Sequence, residues 1–169
     1  SSDLSLEFAT TARRVIESTW YQTRWDVQLS GDQNNKTFYA NTASGYRIST
    51  SVGGSATGKG GDILVVDDPH NLKNVTSDVI RTEDIRWFFK VWSSRINNKM
   101  FDRQIVIMQR GHEQDLTAAL LEQGDWTILK LPTEYQPTQW TSPIGWSDPR
   151  TSEGELLNPG RIGRAENDV

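Results

Sequence analysis

Apolar residues recur along this chain with two different periods, which separate helical from extended segments. Steps of three and four over residues 3–24 predict an amphipathic helix, and an apolar stripe in residues 77–96 predicts another. Alternating positions in residues 37–41 and 46–51, joined by the short turn 42–45, predict a β-hairpin.

Two other stretches interrupt these patterns. Residues 30–36 are polar throughout, so we expect them to break the chain between the first helix and the hairpin. Residues 52–61 contain five glycines and are expected to form a loop.

The second half of the chain alternates between strand and helix patterns. The continuous apolar runs 63–66 and 105–108 are typical of strands covered on both faces, and residues 126–131 predict a third strand. A short helix is expected over residues 113–123, with Gly124 at its end. This order implies parallel pairing, and the predicted fold class is therefore α/β.

The pattern fades beyond Pro132, where proline, serine, threonine and glycine become frequent. We therefore assign residues 1–132 to one domain and residues 133–169 to a Pro-rich linker. Because helical pattern begins almost at once and the first residue is not Met, the chain is expected to be a piece of a longer protein. Apolar residues of the first helix and hairpin are then expected to be exposed.

Composition excludes several function classes. The 169 residues carry 22 acidic and 18 basic side chains, a net charge of -4, which argues against a polybasic binder but allows a local basic groove. With no Cys and only two His, disulfide scaffolds and thiolate sites are excluded and a His-rich zinc site is disfavoured. The absence of a long apolar run predicts a protein that is neither secreted nor inserted in a membrane.

The sharpest chemical feature is the segment 63–69, in which four apolar residues are followed by Asp67, Asp68 and Pro69. In open α/β sheets, ligands gather at the carboxyl ends of the strands. One carboxylate there can hold Mg²⁺ and a second can polarise water that attacks a γ-phosphate, which is the pattern of a Walker B segment. Alternatively, the two acids only end a strand before a turn.

A phosphate-binding loop would have to accompany such a segment. The stretch Gly53 to Gly60 has the spacing G-x-x-x-x-G-K, but Gly60 stands where Ser or Thr should follow Lys59. It also leads into a strand and not into a helix, whose N-terminal amides would bind phosphate. We reject it as a Walker A motif, so the phosphate loop lies before Ser1 or the protein is not an NTPase.

The second apolar strand is followed by Gln109, Arg110, Gly111 and His112. An amide at the end of a neighbouring strand can orient water or sense the γ-phosphate, and Arg110 and His112 can relay that state or touch an anion. Alternatively, Gln109 and Arg110 only end the strand and His112 only begins the next helix, which is the favoured interpretation for His112 alone.

Together these motifs resemble the large subunit of tailed-phage terminases, the ATP-driven motors that package DNA into procapsids. The resemblance extends over residues 3–163, in the order expected for that family. It is carried by residues 47–49, 52–54, 57–62, 65–69 and 107–116, with Ser77, Arg81 and Trp87 between the last two.

The resemblance implies a P-loop NTPase fold of the additional-strand type, a missing Walker A motif upstream and a missing nuclease domain downstream. The cofactors would be ATP and Mg²⁺. Asp67 would be the Walker B metal ligand within residues 63–68, and Asp68 the catalytic carboxylate, where many relatives have Glu. Gln109 and Arg110 would belong to the coupling motif, residues 105–112. The fragment alone would then neither hydrolyse ATP nor cut DNA.

The resemblance also implies a basic residue that acts across a ring of subunits. Thr57 holds its place, and Lys59, two residues later, is the basic candidate for nucleotide binding. The implied partners are double-stranded DNA, a terminase small subunit, a portal and further copies in a homo-oligomeric ring. The implied location is the host cytoplasm.

Two other functions are considered. A two-metal nuclease would use Asp67 and Asp68 with further acids, for which Glu113, Asp115 and Glu134 are the nearest candidates. A non-catalytic binding module would use the tail tryptophans Trp140 and Trp146 as anchors, although packing against the core is the more common use of such residues.

Overall fold

The computed structural model describes residues 2–34, 37–51, 58–138 and 144–161. The chain divides into two compact units, Ser1–Leu116 and Thr117–Val169. In chain order the elements are α1 (Ser2–Glu17), α2 (Thr19–Gln22), β1 (Leu29–Asn34), β2 (Phe38–Asn41), β3 (Tyr46–Ile48), β4 (Ile63–Asp67), α3 (Asp78–Trp87), β5 (Arg103–Ile107) and α4 (Leu116–Gln123). No described helix combines the length and the apolar content needed to cross a bilayer.

The predicted first helix is present but divided at Ser18. The Ser18 hydroxyl donates to the carbonyl of Val15 at 2.6 Å and accepts from the amide of Tyr21 at 3.3 Å. A serine hydroxyl that bonds the backbone of residues three positions before and after it ends one helix and caps the next, so α1 stops and α2 begins. Phe8 and Val15 of α1 are each about half exposed, in agreement with the expected exposed apolar surface.

The predicted hairpin is confirmed, and it belongs to a larger sheet. β2 pairs with β3 in antiparallel register, with Tyr39 opposite Arg47. The polar stretch before it is not a simple break, because β1 pairs with β2 as the outer strand of a three-stranded sheet. The sequence missed β1 because main-chain hydrogen bonds can hold an edge strand that has few apolar side chains.

The two apolar runs form the predicted parallel pair, which confirms the α/β class. β4 and β5 lie in register from Ile63 opposite Arg103 to Asp67 opposite Ile107. The expectation that both faces are covered is wrong among the described residues. Leu64 and Val66 are buried on one face, whereas Ile63 and Val65 on the other face are 66% and 48% exposed. The described elements supply cover for only one side of the pair.

The predicted second helix begins at Asp78, directly after Ser77. Its α-helical part ends at Trp87 and continues as π-helical turns over Phe88–Trp92 and a 3₁₀ turn over Ser93–Arg95. Phe88 is among the largest fully buried side chains of the described chain. The apolar stripe therefore reaches the core, although the backbone changes its helical type along the way.

The third predicted strand is wrong, because no strand forms over residues 126–131. Within this range only Lys130 takes part in a β-bridge. A period of two predicts extended backbone but does not supply a neighbour that pairs along the whole segment. The short helix is confirmed as α4, which begins three residues later than predicted, at Leu116. Gly124 follows it with a φ of 86°, the left-handed conformation in which glycine commonly ends a helix.

The second unit is built around a buried arginine. Arg150 forms two parallel hydrogen bonds with Asp148, Nε to Oδ1 at 3.0 Å and Nη2 to Oδ2 at 2.7 Å. Its Nη1 donates to the carbonyls of Thr133 and Glu155, each at 3.0 Å, and Nη2 donates to that of Pro132 at 2.9 Å. One guanidinium thus joins residues 132–133 to residues 148–155, nearly all of which lie in the predicted linker, residues 133–169.

This ion pair makes the second unit sensitive to acid. The hydrogen bonds from Arg150 hold the pKa of Asp148 below its ordinary value. A carboxyl with a lowered folded pKa stabilises the protein fully above its unfolded pKa, about 3.9, and loses that effect as the pH falls through the folded value. We expect Asp148→Asn to lower the unfolding temperature by several degrees at pH 7 and by progressively less below pH ~4.

Thermal unfolding followed by circular dichroism at several pH values measures this difference. Asp125→Asn, at an exposed position of the same unit, is the matched control and should leave the unfolding temperature unchanged. A destabilisation by Asp148→Asn that is equal at all pH values would contradict the linkage.

Candidate functional site

The candidate site lies at the carboxyl edge of the parallel pair. Asp67 is directly opposite Ile107, and the amide of Asp68 donates to the carbonyl of Ile107 at 2.9 Å, which extends the ladder by one residue. Both strands therefore end together. Asp67, Asp68 and the segment that leads to Gln109 leave the sheet at the same edge, as the sequence predicted.

The two carboxylates differ in backbone geometry. Asp67 is the last residue of β4 and shares the exposed face with Val65. Asp68 has a φ of 43°, a left-handed conformation that is uncommon outside glycine and better tolerated by Asp and Asn than by other residues. Both residues are exposed, and neither carboxylate accepts a hydrogen bond from the described part of the chain. A strained residue of this kind is typical of functional turns.

The donor set at this edge suits one kind of metal site. Among the described residues, no group of three or more His, Asp or Glu side chains could hold a metal ion. An all-protein cage is therefore not formed by these residues. Mg²⁺, however, is usually held by one or two carboxylates and completes its coordination with water and substrate phosphates. Asp67 and Asp68 fit that mode.

Arg110 is anchored beside this edge by a buried acid. Its Nε donates to Oδ2 of Asp115 at 2.9 Å, and its Nη2 donates to the carbonyls of His112 and Glu113 at 3.3 and 3.2 Å. Asp115 is fully buried and also accepts from the amide of Gly111 at 3.2 Å. The Arg110 side chain is half exposed, and its Nη1 has no partner in the described chain, so it can meet an anion.

The other two predicted residues of this loop have different surroundings. Gln109 is exposed, and the structure shows no hydrogen bond to its side chain from the described residues. Nδ1 of His112 accepts from the amide of Gln114 at 3.0 Å, which shapes the turn before α4. This contact agrees with a local structural role for His112, whereas Gln109 is free to meet a ligand.

Lys59 lies elsewhere. Its Nζ is 5.1 Å from the ring centroid of Phe38 and 6.0 Å from that of Tyr46, beside a cavity of about 330 Å³ at the three-stranded sheet. Lys59 precedes β4 and Asp67 ends it, and a strand of five residues is about 16 Å long. No described contact joins the two residues. The structure therefore brings Asp67, Asp68, Gln109 and Arg110 to one edge and Lys59 to another place.

Part of the sequence interpretation cannot be placed. Residues 52–57, which include most of the P-loop-like stretch and Thr57, lie outside the described residues, as does Trp140. Gly60 is described, and its backbone lies against Arg95, where an added Cβ would be 2.8 Å from the carbonyl oxygen. The bend that leads into β4 therefore requires glycine.

The sequence analysis missed a buried histidine beside the carboxylates. His70 is 6% exposed, its Nδ1 lies 3.0 Å from Oδ2 of Asp84 in α3, and its Nε2 accepts from the amide of Leu116 at 2.9 Å. No periodic pattern marks such a residue. The only available signal was its position directly after Asp67, Asp68 and Pro69.

No protein-family model matches the chain, and no curated protein is significantly similar to it.

Proposed function

We propose that this chain is the part of a viral DNA-packaging ATPase, a terminase large subunit, that carries the second half of its nucleotide site. The observation that supports this proposal best is the register of β4 and β5. It places two adjacent carboxylates and the Gln109–Arg110 turn at one strand edge. Phosphoryl-transfer sites of P-loop proteins use a metal-binding carboxylate, a residue that orients the attacking water and a cation that stabilises the transferred phosphate.

Asp67 and Asp68 would have different roles at this edge. Asp67 would hold Mg²⁺, which when bound supplies positive charge against the phosphates of ATP. Asp68 would accept a hydrogen bond from the attacking water and orient it toward the γ-phosphorus. The new bond would form between the water oxygen and phosphorus while the bond from phosphorus to the bridging oxygen breaks and ADP leaves. The water proton would pass to Asp68 along its hydrogen bond. The exposed, unbonded state of both carboxylates supports these roles.

Gln109 and Arg110 would respond to the γ-phosphate. Gln109 offers an exposed amide, and Arg110 offers a guanidinium whose Nε is held by Asp115 while Nη1 remains available. A cation fixed on one side and free on the other can stabilise developing negative charge without reorganising. The phosphate loop would belong to a preceding part of a longer protein and the nuclease to a following part. The P-loop fold of the additional-strand type is part of this proposal.

The nuclease alternative receives less support from the structure. A two-metal site needs several acids around Asp67 and Asp68, and the described residues provide no such cluster. Asp115, one of the candidate acids, is fully buried and bonded to Arg110. Double-stranded DNA, a small subunit, a portal, a homo-oligomeric ring and the host cytoplasm remain part of the proposal for the packaging ATPase.

The test is an ATPase assay of the full-length protein with Mg²⁺, in the presence and absence of double-stranded DNA. We expect Asp67→Asn to raise the Mg²⁺ concentration needed for half-maximal turnover by at least about 10-fold, because loss of a direct ligand costs no less than loss of an outer-shell partner, for which roughly 10- to 100-fold is typical. The control is Asp26→Asn, which removes the same charge from an exposed residue before β1. An unchanged Mg²⁺ dependence would refute the proposal, and DNA cleavage by this chain without ATP would favour the nuclease.

A further inference from the structure

His70 connects the carboxylate edge to the loop that follows β5. Its Nε2 accepts the amide of Leu116, so that nitrogen carries a lone pair, and the ring proton resides on Nδ1 and is donated to Asp84. The ring is therefore neutral in this arrangement, and its contact with Asp84 is a hydrogen bond of a neutral histidine. The amide of Leu116 begins α4 and would otherwise lack an acceptor within the helix.

Further contacts join the same two segments, 69–76 after β4 and 109–116 after β5. Arg81 in α3 is buried, and it donates to the carbonyl of Val75 at 2.8 Å and to Oε1 of Gln114 at 3.2 Å. Gly111 lies against the first segment so closely that an added Cβ would be 2.8 Å from Cδ2 of Leu72 and 3.2 Å from Cγ1 of Val75. Packing at this distance makes the two segments move together.

We propose that His70 is a positioning residue that transmits changes at Asp68 to the 109–116 loop, an inference that rests on the proposed function. Only Pro69 separates Asp68 from His70. Because the ring of proline fixes its φ angle, a movement of the Asp68 backbone is passed on to His70 and is not absorbed by rotation at the residue between them. A change in the left-handed turn at Asp68 therefore moves the imidazole. The imidazole in turn holds the first amide of α4 and, through the loop, Arg110.

The substitutions His70→Gln and His70→Asn test whether a change at Asp68 reaches the 109–116 loop through the hydrogen bond of His70 to Leu116 or only through the packing of the two segments. Gln is long enough to place an amide oxygen where Nε2 accepts from Leu116, whereas Asn keeps a donor toward Asp84 and falls short of Leu116. Both side chains are polar and fill part of the space that the buried imidazole occupies, so both variants should fold. His112→Gln is the matched control, because His112 is the other histidine and its described side-chain hydrogen bond is with the amide of Gln114, two residues away.

The experiment measures backbone amide resonances and hydrogen exchange by NMR on the full chain. Asp68→Ala is the perturbation at the edge, because Ala adopts the left-handed conformation less readily than Asp. The amide of Leu116 is the readout, and the amide of Gly111, which packs directly on Leu72 and Val75, reports the path that does not use His70. We expect Asp68→Ala to shift the Leu116 resonance in the wild-type, His70→Gln and His112→Gln backgrounds but much less in the His70→Asn background, and to shift the Gly111 resonance in all four. We also expect exchange at the Leu116 amide to accelerate roughly 5- to 10-fold in His70→Asn and to change little in His70→Gln.

Equal responses of the Leu116 resonance in the His70→Asn and wild-type backgrounds would overturn the inference, since packing alone would then explain the contact. A Leu116 resonance that does not shift with Asp68→Ala in the wild-type chain would overturn it as well. The Mg²⁺ dependence of ATP turnover by the full-length protein reports separately on the proposed function. If Asp67→Asn leaves that dependence unchanged while transmission through His70 is observed, the metal role fails and the role of His70 stands.

Discussion

Replacing Asp68 by Asn is expected to reduce ATP turnover of the full-length protein by about 10²- to 10³-fold, with ATP affinity changed by less than about threefold. The carboxylate orients the attacking water in the proposed mechanism, and an amide keeps the size of the side chain but loses the negative charge. Because Asp67 remains, the ion and nucleotide should still bind. Steady-state kinetics combined with equilibrium binding of a fluorescent nucleotide separate these two effects.

Asn is a suitable probe because of the backbone at this position. Asp68 has a φ of 43°, and Asn tolerates the left-handed region about as well as Asp does, so the variant should fold normally. Asp26→Asn is again the matched control for the lost charge. Full turnover by Asp68→Asn, with a normal unfolding temperature, would show that Asp68 is not the residue that orients water.

The second large effect concerns stability. We expect Asp115→Ala to lower the free energy of unfolding by about 2–4 kcal/mol. Asp115 is fully buried and accepts from Nε of Arg110 and from the amide of Gly111, so its removal leaves both donors without this acceptor and opens a polar cavity. The cost is below that of a wholly buried ion pair, because Arg110 is half exposed and can turn toward water.

Urea denaturation followed by tryptophan fluorescence measures this loss as a lower midpoint with an unchanged slope. Glu113→Ala is the control, since it removes the same charge from an exposed side chain of the same loop. If Asp115→Ala and Glu113→Ala shift the midpoint equally, the buried carboxylate does not hold the loop. The Asp115→Ala chain should also show faster exchange at the Gly111 amide.

The chemistry of the candidate site was more predictable than its surroundings. Asp67 and Asp68 were found because they come at the end of one apolar run, and Gln109 and Arg110 because they come at the end of the other. Parallel strands bring such positions to one edge. His70 was missed because its partners, Asp84 and Leu116, are distant in sequence and no local pattern links them. Hydrogen bonds of this kind depend on tertiary packing and produce no periodic pattern in the amino-acid sequence.

The errors in the predicted fold also arise from contacts between residues that are distant in sequence. β1 was missed because an edge strand is held by its neighbour's backbone. The strand predicted over residues 126–131 does not form because, within this range, only Lys130 takes part in a β-bridge. Both faces of β4 were expected to be covered from the continuous apolar run. The described structure covers only the face of Leu64 and Val66.

The sequence by itself determined the local elements: the amphipathic α1, the β2–β3 hairpin, the two parallel strands and the acids that follow β4. These depend on the period of apolar residues and on turn residues, both of which act over a few positions. Only the tertiary structure decided that Lys59 lies over Phe38 and not at the carboxylate edge, and that His70 joins this edge to α4. Contacts between distant residues are selected by the packing of the whole unit, which no short stretch of sequence encodes alone.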